Sequence, residues 1–296
     1  MANAKKRKRR GLILSPWGLQ RFQDAQEQLA VAKNKGVAYT LEQLSHLTGL
    51  SVRSLSRIRS YKAAVDRQTL EELFRTFNLT LTEQDYFQPD MSAGEYPVGS
   101  TVQDWGEAPD VSLFYGRTAE LTTLSEWILE DRCRLVEVIG IGGVGKTALS
   151  VKLAEQIQNH FAYVIWRSLR NAPPLETLLA ELVLFLSGQQ DTRSDVNSLL
   201  QRLQNFRCLV VLDNMETILG TGNQVGQFRE GYEAYGELLR VVAEARHQSC
   251  FMLTSREKCA QFTQWEGRGG VQRLTLSGSP EAAEALLEAT GLTGIR

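Results

Sequence analysis

The chain has 296 residues, long enough for two domains that each bury a core. With 43% apolar and 23% charged residues it is not a disordered chain, and no stretch approaches the roughly 20 apolar residues of a membrane span. The 33 basic and 34 acidic side chains nearly cancel, but residues 1–90 are net +6 and the remaining 206 net −7, so the two parts need separate readings.

In chain order, the basic start MANAKKRKRR is followed by GLIL, shorter than the apolar segment of a signal peptide. Residues 1–14 are expected to be a basic disordered tail. From Ser15 the pattern is helical, with Trp17, Phe22, Ala25 and Leu29 at helical spacing. Thr40 with Gln43 three residues on is a capping-box signature and predicts a helix over 41–48, ended by Gly49. Ser51 caps a second short helix over 52–60, and a third is expected at about 67–78. The expected core of this all-α module, residues 15–87, includes Leu44, Leu47, Leu50, Val52, Leu55 and Ile58. His46 is expected at its surface or edge. Residues 88–110 hold three of the seven prolines without an apolar period and read as a linker.

Over 111–296 the texture changes. Apolar, strand-like runs at 135–139, 162–166, 208–212 and 250–253 alternate with helical segments at about 147–160, 175–187, 196–205 and 231–246. That alternation implies an α/β fold, a parallel sheet flanked by helices. The four cysteines are scattered, with neither a CxxC pair nor a histidine at metal-ligand spacing. Three of them, in or beside apolar strand-like runs, read as small hydrophobes, and a reducing cytoplasm is expected.

The strongest motif is GIGGVGKT at 140–147, matching GxxxxGK[ST] between an apolar strand and an amphipathic helix. Gly140, Gly142, Gly143 and Gly145 let the backbone turn tightly and, with Ile141, Val144 and Ala148, line up N–H groups toward phosphate oxygens. The helix that follows adds a partial positive charge. Lys146 would meet the β/γ-phosphates and Thr147 would offer its hydroxyl to Mg²⁺.

A second element, CLVVLD at 208–213, is an apolar run ending in Asp213, placed to hold Mg²⁺ through water at a strand's carboxyl end. Next to it stands Asn214, whose amide can orient water but is a poor base. Glu216 is either a substitute acid or a solvated loop residue. A third element, FMLTSR at 251–256, ends in Arg256, which reaches a γ-phosphate if its strand lies beside the loop strand and is otherwise a surface arginine.

Together these stretches resemble the NB-ARC domain of the STAND class of AAA+-like P-loop NTPases. The resemblance covers about 105–296 and rests on FYGR at 114–117, GIGGVGKTAL at 140–149, VIWRSLRNAPPLETLL at 164–179, CLVVLDN at 208–214 and FMLTSRE at 251–257. It is similar to cyanobacterial members, which often precede WD-repeat arrays. The resemblance implies an ATP/ADP-binding, Mg²⁺-dependent switch in signal transduction, with Tyr115 and Arg117 at the adenine and Arg256 at the γ-phosphate. Catalytic roles would fall to Lys146, Asp213, Asn214 and Arg256. Two departures stand out. Asn214 replaces a commonly acidic residue, which implies slow hydrolysis. The chain also stops at Arg296, before the ARC helical subdomains, winged helix and sensor repeats, so it is expected not to run the full switch alone. Nucleotide-dependent oligomerisation is implied only where those parts are present.

Residues 40–78 resemble a Cro/C1-like helix-turn-helix with Gly49 as its turn glycine, similar to the domain at the front of vWA-MoxR-associated STAND proteins. Its second helix would present Arg53, Ser54, Ser56 and Arg57. Those residue types suit either a protein effector or adaptor contact, or DNA bases and phosphates. The first reading makes the chain a signalling switch with an adaptor module. The second makes it a transcription regulator whose DNA affinity is tuned by nucleotide.

Overall fold

Ser15 and Pro16 start the first helix as their chemistry dictates: the serine Oγ accepts the Gly18 N–H at 3.0 Å, and proline takes the first helical position. The computed structural model describes residues 11–34, 37–60, 64–87, 101–188 and 191–279. The chain divides into two units, one up to Val102 and one from Gln103.

The first unit contains β1 (Ile13–Leu14), α1 (Pro16–Lys33), α2 (Leu41–Thr48), α3 (Val52–Ser60), α4 (Arg67–Thr76) and β2 (Tyr86–Phe87). The capping box forms as expected, with Thr40 Oγ1 accepting from Gln43 N at 3.2 Å and Gln43 Oε1 accepting from Thr40 N at 2.9 Å. Gly49 ends α2 in the left-handed conformation. Two expectations need correcting. Residues 11–14 are no tail: β1 pairs antiparallel with β2, Leu12 bridges Val65, and Leu12 and Leu14 are buried. An apolar alternation only two side chains long is too short to register as a strand period. The rest of the predicted tail, residues 1–10, lies outside the described residues.

The second correction concerns the core. Leu44, Leu50, Leu55 and Ile58 are buried, but Leu47 and Val52 are 43% and 42% exposed. The space they were expected to fill is taken by α1 and α4, through Phe22, Leu70, Leu73 and Phe74. Phe22 meets Phe77 edge to face at 5.2 Å. His46 is exposed.

α1 crosses the chain before β2 with almost no clearance. A Cβ placed on Gly18 would lie 2.2 Å from the main-chain oxygen of Asp85. Gly18→Ala is therefore expected to cost about 1–3 kcal/mol through overpacking of the first unit. Chemical denaturation of the full chain reads this as an earlier transition in helical signal; an unshifted transition would contradict the close approach.

The second unit is a six-stranded sheet in the order β3-β5-β6-β7-β4-β8: β3 (Val102–Asp104), β4 (Leu135–Ile139), β5 (Tyr163–Ser168), β6 (Cys208–Asp213), β7 (Cys250–Ser255) and β8 (Val271–Thr275). The pairs β5/β6, β6/β7, β7/β4 and β4/β8 are parallel. On one face α5 (Thr118–Leu129) and α6 (Lys146–Ile157) pack against Val136, Val138, Val164, Trp166, Val211 and Met252. α7 (Leu175–Leu186), α8 (Val196–Asn205) and α9 (Ala234–Glu244) follow one another on the opposite face, where Tyr163 of β5 meets Phe185 and Phe206. This is the P-loop NTPase fold, an α/β sheet buried on both faces.

Part of the expected linker at 88–110 is structured. Residues 88–100 lie outside the described residues, but β3 forms an edge strand, and its last residue Asp104 accepts from Arg167 at 2.6 Å. Three polar-leaning residues on a sheet edge carry no alternation for a sequence reading to find. Among the described residues, no helix is long and apolar enough to cross a membrane.

Candidate functional site

Parallel strands gather their carboxyl ends on one edge of a sheet, where the loops that follow form a crevice. Register sets Ile139 beside Ser255 and Leu212 beside Leu253. The loop after β4, the end of β6 and the end of β7 therefore meet at one point. β7 lies between the other two.

The loop GIGGVGKT turns from β4 into α6 with Gly143 and Gly145 at φ +77° and +98°, a region closed to most side chains. Lys146 opens α6 and is buried; its ammonium donates to the carbonyls of Gly140 at 2.8 Å and Ile141 at 3.0 Å. Burial lowers its pKa, with Glu216 and Asp213 opposing that shift. Ile141 is exposed at the loop tip, while Val144 and Ala148 are half-buried.

Thr147 donates its hydroxyl to Asp213 at 2.9 Å (Oδ1) and 3.2 Å (Oδ2). Thr254 of β7 donates to the same Oδ1 and accepts the Asn214 N–H at 3.1 Å. Asp213 is thus fixed between two hydroxyls, and burial pushes its carboxyl up. One carboxylate beside a threonine hydroxyl suits Mg²⁺, which keeps several waters and takes its other ligands from phosphate. Asn214 sits in the left-handed region at φ +67°, and its buried Oδ1 accepts no hydrogen bond among the described residues.

Arg256 extends from the end of β7. Its Nε donates to Glu216 Oε1 at 2.9 Å and its main-chain N–H to Oε2 at 3.3 Å. The guanidinium lies over the phosphate loop: a Cβ placed on Gly142 would be 3.6 Å from Arg256 Cζ. From the other side Arg117, buried at the start of α5, donates to the carbonyls of Val144 at 3.1 Å and Ser277 at 2.6 Å, and to Glu120 at 2.7 Å. It ties the phosphate loop to the segment after β8. A cleft of about 520 Å³ adjoins it, lined by residues 116–120 and 277–279. Tyr115 is half-buried one residue before that cleft.

The structure thus brings together Lys146, Thr147, Asp213 and Arg256, with Arg117 bracing the loop. Arg53, Ser56 and Arg57 are exposed on α3 in the first unit, where half-buried Ser54 shares a hydrogen bond with Ser51. Two contacts are absent from the sequence pattern: Thr254 bonding Asp213, and Glu216, a candidate substitute acid or solvated loop residue by sequence, pairing instead with Arg256. Both depend on β7 lying between β4 and β6, and a one-dimensional pattern does not carry strand order. All four cysteines are buried, the Cys133 thiol pushed up to about 11 and Cys208 to about 12, so these thiols act as packing groups.

Residues 117–223 match the NB-ARC domain. The NB-ARC match begins at Arg117 and takes in the phosphate loop, Asp213 and Glu216, with Tyr115 before it and Arg256 beyond it. An uncharacterized WD repeat-containing protein of Nostoc sp. is 50% identical over 193 residues, which are 60% of this chain and 15% of that protein. The chaperone protein ClpB of Tropheryma whipplei is 31% identical over 117 residues, 39% of this chain and 16% of that one. The match spans less than a fifth of either relative's length. Among solved structures, the Aeropyrum pernix ORC1 protein in complex with DNA aligns with TM-score 0.41 and 17% identity, covering 62% of this chain and 51% of that one. The second unit is a P-loop nucleotide-binding domain.

Proposed function

We propose that the chain is an ATP/ADP-binding signalling switch of the STAND type, hydrolysing ATP slowly with Mg²⁺. One observation carries the reading: Lys146 and Thr147 of the phosphate loop stand with Asp213 and Arg256 around a single crevice. Lys146 would hold the β/γ-phosphates, and Thr147 and Asp213 would hold Mg²⁺ with its waters. Arg256 would report the γ-phosphate, which makes it the contact that distinguishes the two nucleotide states. Tyr115 and Arg117 border the adenine end in this reading. The test is thermal unfolding with Mg–ADP or Mg–ATP, together with phosphate release over hours. Stabilisation by both and slow release are expected; no shift with either nucleotide overturns the proposal.

Slow turnover follows from Asn214, since an amide accepts no proton from water. Asn214→Asp supplies a carboxylate and is compatible with the left-handed backbone there. Phosphate release is expected to rise by about tenfold or more. An unchanged rate in a variant that still binds nucleotide would show that a missing acid is not the limit.

For the first unit we propose an adaptor or effector-recruiting role in the cytoplasm, supported by the WD repeats of the Nostoc relative, which suit a protein partner. The exposed Arg53, Ser56 and Arg57 on α3 favour a second reading, a nucleotide-tuned DNA-binding transcription regulator. Duplex DNA held by about six phosphate contacts would lose orders of magnitude in affinity between 50 and 200 mM salt. Absent or salt-insensitive binding in an anisotropy titration would exclude it.

A further inference from the structure

We infer that Glu216 is a positioning residue that aims Arg256 at the terminal phosphate, and that it thereby sets the preference of the site for a nucleoside triphosphate over a diphosphate. This rests on the nucleotide-binding reading above. Glu216 lies on the single turn Met215–Ile218 that follows Asp213 and Asn214. Its side chain is only 15% exposed, although its partner Arg256 is 62% exposed. Both carboxylate oxygens are used on the same residue, one on the Nε and one on the main-chain N–H. An exposed, long side chain is ordinarily free among many rotamers. Here its root and its Nε are both held.

A guanidinium is planar, so engaging the Nε directs the two terminal nitrogens. Neither Nη of Arg256 has a hydrogen-bond partner among the described residues, and Cζ lies over Gly142 of the phosphate loop. The free donors are therefore presented at the loop whose N–H groups would cradle the phosphates. Glu216 also acts on Lys146 through its charge, which places the carboxylate within the field of the crevice. A diphosphate bound at Lys146 and Thr147 has no third phosphate for the fork to meet, so the benefit of the orientation falls on the triphosphate alone.

The same contacts would serve an opposite device, a latch in which Glu216 occupies Arg256 until a triphosphate displaces it. The two make opposite predictions. The experiment measures dissociation constants of the full chain for Mg–ADP and for a magnesium β,γ-imido triphosphate. Their ratio cancels most of the general effect of removing a charge. Glu216→Ala should lower the triphosphate preference roughly fivefold or more, with Mg–ADP affinity retained as evidence of an intact fold. Glu216→Gln, which keeps an acceptor for the Nε, should recover part of the preference. Arg256→Ala should lose as much as Glu216→Ala, and the double variant no more than either. An unchanged ratio, a raised one as the latch requires, or additive losses overturns the inference. If the wild-type chain binds neither nucleotide, the nucleotide reading fails and takes this inference with it.

Discussion

Glu137→Ala is expected to destabilise the second unit by about 3–5 kcal/mol, the cost of leaving a buried charge without its partner. Glu137 stands in the middle of β4, fully buried, and its register partner on β8 is Arg273. Oε2 accepts the Arg273 Nε at 2.5 Å, and Oε1 accepts the Cys259 N–H at 3.1 Å. Arg273, whose side chain is 4% exposed, also donates to Glu266 at 2.6 Å and stacks over Phe262 at 4.8 Å. Burial pushes the Glu137 carboxyl up against the pull of Arg273, so the pair is costly to bury and costlier to break. Replacing both with leucine should recover only part of the loss. The charges would be gone, but the Cys259 N–H would remain without its acceptor. Urea unfolding of the full chain measures both variants. A single-variant loss below about 1 kcal/mol would mean that water or Glu266 compensates the arginine.

Glu137 also marks the limit of what the sequence discloses. Residues 135–139 read as an apolar run, and the strand is there, yet nothing in the run says that its central acid is met across the sheet by Arg273. The phosphate loop is legible because its chemistry is local: eight consecutive residues do the turning and would do the cradling and the charge placement. Asp213 was legible for a similar reason, as a carboxylate at the end of an apolar strand. The contacts of Thr254 with Asp213 and of Glu216 with Arg256 are not, because the partners lie 41 and 40 residues apart along the chain. The strand that brings them in, β7, is inserted between its predecessors in an order that composition does not fix. In the first unit, the caps at Thr40 and Ser51 are readable from neighbouring residues. The exposure of Leu47 and Val52 was not, since it depends on which helices compete for the same core.

Lys146→Ala is expected to leave the unliganded chain about as stable as the wild type while removing its response to nucleotide. Among the described residues the ammonium bonds only to carbonyls of its own loop, and burial lowers its pKa, so the desolvation that its loss relieves offsets the hydrogen bonds that it forfeits. The ligand term is different. At a nucleotide concentration about a hundred times the dissociation constant, binding stabilises the folded state by about 2.7 kcal/mol. For a unit of this size that is a rise of roughly 5–10 °C in Tm. Losing a buried charge-assisted contact to phosphate weakens binding by about a hundredfold, which cuts the stabilisation to about 0.4 kcal/mol and the shift to about 1 °C. The comparison needs four melts: wild type and variant, each with and without Mg–ATP. A shift in the variant equal to that of the wild type would remove the phosphate from Lys146 and with it the assignment of the loop. A variant that melts far below the wild type without ligand would instead show that the ammonium holds the loop together. The two carbonyl bonds would then be its main work.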